Sequence, residues 1–157
     1  MEQGVKTTVG FIGIGVMGKS MAGHLLAAGY PLVVYNRTKA KAESLLAQGA
    51  SWAECPGAVA KACDVVITMV GYPKDVEETY LGENGLIAKG RQGALFIDMT
   101  TSSPALARRI AAAAKDAGMA SLDAPVSGGD VGAREARLAI MVGGETADFE
   151  RAKPIFD

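Results

Sequence analysis

The stretch Gly13-Ile14-Gly15-Val16-Met17-Gly18 decides the fold. It follows a short apolar run of strand length, Val9-Gly10-Phe11-Ile12, and opens a segment in which Met21, Leu25 and Ala28 recur at helical spacing. Strand, glycine turn and helix form the context that a dinucleotide fingerprint requires. Each glycine has its own task. Gly13 lets the chain leave the strand in a sharp turn, Gly15 lets a pyrophosphate approach the backbone, and Gly18 lets the helix pack closely on the strand. The phosphates then meet free N–H groups at the positive end of the helix, in a cradle completed by Ile14, Val16 and Met17. The alternative is a strand–helix turn of no chemical consequence; the position near the N-terminus, with a second strand following, favours the cofactor site.

Outward from this turn, strands are expected at 8–12, 32–35, 65–70, 94–97 and 138–142, with a short edge strand at 50–52 and another starting at 121–122. Helices are expected from 17 to 28, from 39 to 48 with Thr38 as N-cap, from 56 to 62, from 73 to 80, from 104 to 117 with Ser103 as cap, and from 147. Residues 82–85 read as a turn. Strands alternating with helices imply an α/β fold of Rossmann type: a doubly wound, mainly parallel sheet with helices on both faces. Residues 1–157 form one domain with a loose lead-in at 1–7. Ligands of such sheets bind beyond the carboxyl ends of the strands. The loops at 13–18, 36–38, 69–73, 98–103 and 123–129 are therefore the candidates.

Composition excludes other classes. With 157 residues, 49% hydrophobic and 21% charged, the chain is long enough for one packed core. A net charge of −1 argues against a nucleic-acid partner. No apolar run reaches the roughly 20 residues of a membrane span, and the N-terminus lacks the layout of a signal peptide. Cys55 and Cys63, the two cysteines, read as free thiols of a reducing cytoplasm, and no metal site is expected.

The end of the second strand chooses the cofactor. A carboxylate there accepts the ribose hydroxyls of NAD; this chain has Asn36-Arg37-Thr38 instead. Arg37 can grip a 2′-phosphate with its planar fork and Thr38 can add a hydroxyl, which points to NADP, with NAD as the alternative. Otherwise Arg37 is a surface turn residue. Lys39 and Lys41 read as solvated helix charges.

Several ordered motifs together carry a resemblance. Residues 9–18, Ile97-Asp98-Met99-Thr100-Thr101, Asp123-Ala124-Pro125-Val126-Ser127-Gly128-Gly129 and Met141-Val142-Gly143-Gly144 resemble successive signatures of the β-hydroxyacid dehydrogenase family, over about residues 8–157. That family includes 3-hydroxyisobutyrate dehydrogenase, tartronate semialdehyde reductase, glyoxylate/succinic semialdehyde reductase and 6-phosphogluconate dehydrogenase. The resemblance implies that Met69, Val70 and Gly71 line the cofactor; many members have Pro in place of Gly71, which implies a looser loop here. It places Thr101 and Ser102 near the nicotinamide end, and makes Ser127-Gly128-Gly129 the loop that binds a small carboxylate-bearing substrate. Consecutive N–H groups in a Ser-Gly-Gly turn before a helix from Asp130 would suit an anion, although an ordinary turn has the same sequence.

The family's catalytic lysine, in a Gly-x-x-x-Lys signature, would lie beyond Asp157, as would the helical domain through which members form homo-oligomers. No lysine of this chain occupies an equivalent place, so no catalytic residue is assigned within it. The single histidine, His24, reads as structural. The expectation is the cofactor half of an NADP-dependent oxidoreductase of small hydroxy acids or aldehyde acids, closest in pattern to the tartronate and succinic semialdehyde reductases. A 6-phosphogluconate dehydrogenase-like branch, a freestanding NADP-binding module and a methyltransferase on the same sheet are the competing readings.

Overall fold

Four-residue apolar runs become the middle of a parallel sheet. In a computed structural model, which describes residues 8–14, 16–69, 73–99, 104–123, 126–127 and 139–140, the strands β1 (Val9–Ile12), β4 (Val65–Thr68) and β5 (Leu95–Asp98) are buried along their whole length. Strands covered on both faces require such unbroken apolar sequence. β2 (Leu32–Tyr35) alternates buried with half-buried residues, and β3 (Ser51–Trp52) forms the edge. With β6 (Ala120–Asp123) these make a six-stranded sheet in the order β3-β2-β1-β4-β5-β6, every pair parallel. This is the doubly wound order, in which strand succession reverses between β1 and β4.

The helices are α1 (Val16–Ala27), α2 (Glu43–Ala47), α3 (Pro56–Ala62), α4 (Pro73–Leu81), α5 (Leu86–Lys89) and α6 (Pro104–Asp116). Period-two side-chain alternation splits the core into two layers. Val9, Phe11, Ile67 and Ile97 pack with Ala22 and Leu25 of α1 and Leu45 of α2. Ile12, Val66 and Phe96 pack with Val59 of α3, Val76 and Tyr80 of α4, Leu86 of α5 and Ile110 of α6. Gly10 makes this second layer thin: a Cβ there would run into Val59 and would sit 3.2 Å from the sulfur of Cys63. The rings of Tyr80 and Phe96 meet edge-on at 5.9 Å, a favourable aromatic arrangement.

Four local expectations are corrected. The helix expected over 39–48 begins as a 3-10 turn, Lys39–Ala42, before α2, and Thr38 stands at the N-cap position without a side-chain capping bond. Strand β4 stops at Thr68 because its neighbours end in register with it, at Ile12 and Asp98; Met69 still donates its N–H to the Ile12 carbonyl at 2.8 Å. The turn at 82–85 is followed by the short helix α5, which the sequence reading lacks. The strand expected at 138–142 is β8 (Ala139–Ile140), paired antiparallel with β7 (Val126–Ser127) in a separate two-stranded sheet. Ser127 ends β7 in a ladder opposite Ala139, and the rest of the turn expected at 127–129 lies outside the described residues. The lead-in at 1–7 and the helices expected from 130 and 147 lie outside the described residues.

Candidate cofactor site

Gly13 leaves β1 with φ +101°, a conformation that side-chain-bearing residues rarely adopt. The turn is then fastened to the end of β2 at two points. Gly13 donates its N–H to the Tyr35 carbonyl at 3.1 Å, and Ile14 donates its N–H to Oδ1 of Asn36 at 2.8 Å. The Asn36 amide nitrogen donates to the Thr38 carbonyl at 2.9 Å, which fixes the orientation of the amide. Ile14 itself is in the core. Gly18 lies directly over this turn: a Cβ would run into the Gly13 carbonyl oxygen and would come within 3.3 Å of the Phe11 ring. The first and third glycines therefore do what the sequence reading asks of them. Gly15 lies outside the described residues, and Val16 and Met17 form the first turn of α1. The leading N–H groups of a helix have no partner within it, so this turn offers donors to an anion above Gly13.

A cleft of about 760 Å³ opens at the carboxyl ends of β1, β2 and β4. Its floor is Ile12, Gly13 and Gly18, and one wall is Tyr35, Asn36, Arg37 and Thr38 at the end of β2. Half-buried Met69 continues the floor beyond β4. The opposite wall is Asp75, Glu78 and Thr79 of α4. The reversal of strand order lies beneath it, as in other doubly wound sheets that bind dinucleotides. Glycine at the floor, helix N–H donors and the guanidinium of Arg37 on one wall fit an elongated, phosphate-bearing nucleotide.

The two walls are joined. Nη2 of Arg37 lies 2.8 Å from Oδ1 of Asp75, with the Arg37 side chain 78% exposed and that of Asp75 22%. The hydrogen bond to Asp75, then the charge of Asp75, hold the Arg37 guanidinium protonated beyond its ordinary range, and Glu78 adds to the effect. Asp75 and Glu78 are absent from the sequence reading, since nothing local links positions 37 and 75. Lys39 lies 5.4 Å over the Trp52 ring, while Lys41 lines the cleft.

Behind the cleft, at the carboxyl ends of β4 and β5, Thr68, Tyr80 and Asp98 form a buried polar cluster. The Thr68 hydroxyl is 2.8 Å from that of Tyr80 and donates to Oδ1 of Asp98 at 3.0 Å. Buried polar groups persist when they bond one another; these tie α4 to the two strand ends from which the loops at 69–73 and 98–103 depart. Of the other expected site residues, Val70, Gly71, Thr101, Ser102, Gly128 and Gly129 lie outside the described residues. His24 falls in the last turn of α1 and does not line the cleft. Among the described residues there is no group of three His, Cys, Asp or Glu that could hold a metal ion, and no helix is long and apolar enough to cross a membrane.

Residues 8–157 match the family described as the NAD binding domain of 6-phosphogluconate dehydrogenase. The chain belongs to this family. These NAD-binding domains share both fold and sequence with it. The chain is 59% identical over 152 residues to an uncharacterized oxidoreductase, YkwC, of Bacillus subtilis, covering 97% of this chain and 53% of that protein. It is 44% identical over 149 residues to the 2-hydroxy-3-oxopropionate reductase of Escherichia coli, covering 95% of this chain and 51% of the reductase. Among solved structures, 3-hydroxyisobutyrate dehydrogenase of Mycobacterium tuberculosis with L-serine superposes with a TM-score of 0.89 at 36% identity, covering 97% of this chain and 51% of the enzyme. The chain thus spans about half the length of the relatives it matches, the half that carries the NAD-binding domain.

Proposed function

We propose that this chain is the cofactor domain of an oxidoreductase that passes hydride between NADP(H) and a small hydroxy acid or aldehyde acid of the 3-hydroxyisobutyrate type. The observation that carries the cofactor choice is the β2 end. The amide of Asn36 is committed to the Gly13–Ile14 turn and to Thr38, so no carboxylate on this strand receives the ribose hydroxyls. The exposed fork of Arg37 stands at the same end of the cleft, where a 2′-phosphate would arrive. Thr38 borders the same place.

The bound nicotinamide supplies the hydride. The chain's part is to bind and orient: Gly13 and Gly18 shape the pyrophosphate turn, Met69 supports the region beyond β4, and Arg37 selects the phosphate. The substrate class follows from the relatives, one a 2-hydroxy-3-oxopropionate reductase and one solved with L-serine, itself a 3-hydroxy carboxylate. Ser127, Gly128 and Gly129 are the proposed hold on the substrate carboxylate. The acid–base lysine, the second wall of the substrate pocket and the homo-oligomer contacts belong to sequence other than these 157 residues, and the cytoplasm is the proposed location.

Titration with NADPH and NADH, followed by Trp52 fluorescence or calorimetry, tests the reading. Arg37→Ala should weaken NADPH by about tenfold, the lower end expected for a lost charge-assisted hydrogen bond at an exposed site, and change NADH by less than about twofold. Equal affinity of the parent chain for both nucleotides would overturn the assignment.

A further inference from the structure

We infer that Asp75, on α4, is a cofactor-discriminating residue that opposes Arg37 and restrains the preference for the 2′-phosphorylated nucleotide. The inference rests on the proposed role of Arg37 and adds the residue that sets how far that role extends. Three observations support it. Arg37 is not waiting for a phosphate: its Nη2 is bonded to Oδ1 of Asp75 at 2.8 Å. Asp75 comes from the opposite wall of the cleft, 38 residues away in sequence, and both residues line the same space. Glu78, one helical turn beyond Asp75 on α4, lines it too and adds to the negative field around the guanidinium.

The chemistry follows from charge. A 2′-phosphate carries between one and two negative charges near neutral pH. To reach Arg37 it must displace a carboxylate from the guanidinium, and it then sits beside that carboxylate. A nucleotide with a free 2′-hydroxyl meets no such repulsion. Its hydroxyls can donate to Asp75, so the acceptor that NAD sites usually carry at the end of the second strand is supplied here from across the cleft. The ion pair is thus a balance: Arg37 favours the phosphate, and Asp75 favours the hydroxyl.

Asp75→Asn keeps the size and hydrogen-bonding reach of the side chain and removes its charge. In the titration above, it should raise NADPH affinity by about three- to tenfold at low salt, the range for a charged phosphate about 5 Å from a carboxylate in a largely aqueous setting. NADH affinity should stay level or fall by up to about threefold, as expected when a charged acceptor becomes neutral. The gain for NADPH should shrink as ionic strength rises. Glu77→Gln, on the same helix but paired with Arg109 at 3.1 Å, should leave the NADPH:NADH ratio unchanged, which separates a local effect from net charge. Glu78→Gln, a second variant that leaves the ion pair in place, should shift the ratio the same way by a smaller factor. Thermal unfolding of each variant checks that it is folded.

A ratio unchanged by Asp75→Asn would overturn the inference, as would a ratio shifted toward NADH by Asp75→Asn, which would make Asp75 a support for Arg37 in phosphate binding. Arg37→Ala in the same series separates the two levels. If it spares NADPH, the reading of Arg37 itself fails; if it weakens NADPH while Asp75→Asn changes nothing, only the role of Asp75 fails.

Discussion

Replacing Asn36 separates the two roles that its position could have. If Asn36 fastens the glycine turn, Asn36→Ala should destabilise the fold as well as the site. Ile14 is 1% exposed and its N–H is bonded to Oδ1 of Asn36 at 2.8 Å in a part-buried position, so water replaces that bond poorly. An unsatisfied buried donor costs about 1–3 kcal/mol. The second bond, to the carbonyl of exposed Thr38, adds at most a few tenths of a kcal/mol because water can replace it. For a domain of this size, about 1–3 kcal/mol lowers the melting temperature by roughly 3–10 °C. Asn36→Asp keeps an acceptor for Ile14 and should cost less than about 1 kcal/mol, while its charge should weaken NADPH and spare NADH. Thermal and denaturant unfolding of both variants, with nucleotide titration, gives the answer. An Asn36→Ala protein within about 0.5 kcal/mol of the parent, inside the ordinary range for surface substitutions, would refute the fastening role.

Two further outcomes are expected. Burial raises the Cys63 thiol to about 12, against the help of Arg91, so the folded state keeps a proton that the unfolded chain loses above about pH 9. Stability should fall as pH rises from about 9 toward 12, and Cys63→Ala should flatten that fall; at pH 8 a thiol reagent should modify half-exposed Cys55 and leave Cys63 intact until the protein unfolds. The 157-residue polypeptide, incubated with NADPH and glyoxylate, succinic semialdehyde or tartronate semialdehyde, should bind nucleotide without consuming it. Steady turnover from protein free of contaminating reductase would place the acid–base group within these residues.

The parts that were legible in the sequence are those fixed by local physics. The unbroken apolar runs within β1, β4 and β5 read as strands covered on both faces, and the glycine spacing fixes the turn between β1 and α1. The parts that were not legible depend on partners distant in sequence. Met69 and Val70 continue the apolar pattern of β4, yet the strand ends at Thr68 because β1 and β5 end opposite it. Leu86–Lys89 is one helical turn between Gly85 and Gly90, too short to show a period. Asn36 has the residue type of a ribose contact, but its partner Ile14 lies 22 positions away. Arg37 reads in the sequence as a candidate phosphate ligand, whereas its partner Asp75 sits in the first turn of α4 with no local sign of the connection.

Hydrogen exchange measured with and without NADP+ tests the central claim most directly, because it locates the nucleotide on the chain. The account predicts slowed exchange in peptides covering 10–19 and 34–41, the glycine turn, the start of α1 and the end of β2, with no change over α6 at 104–116. Binding accompanied by unchanged exchange at 10–19 and 34–41, or by protection confined to α6, would contradict it.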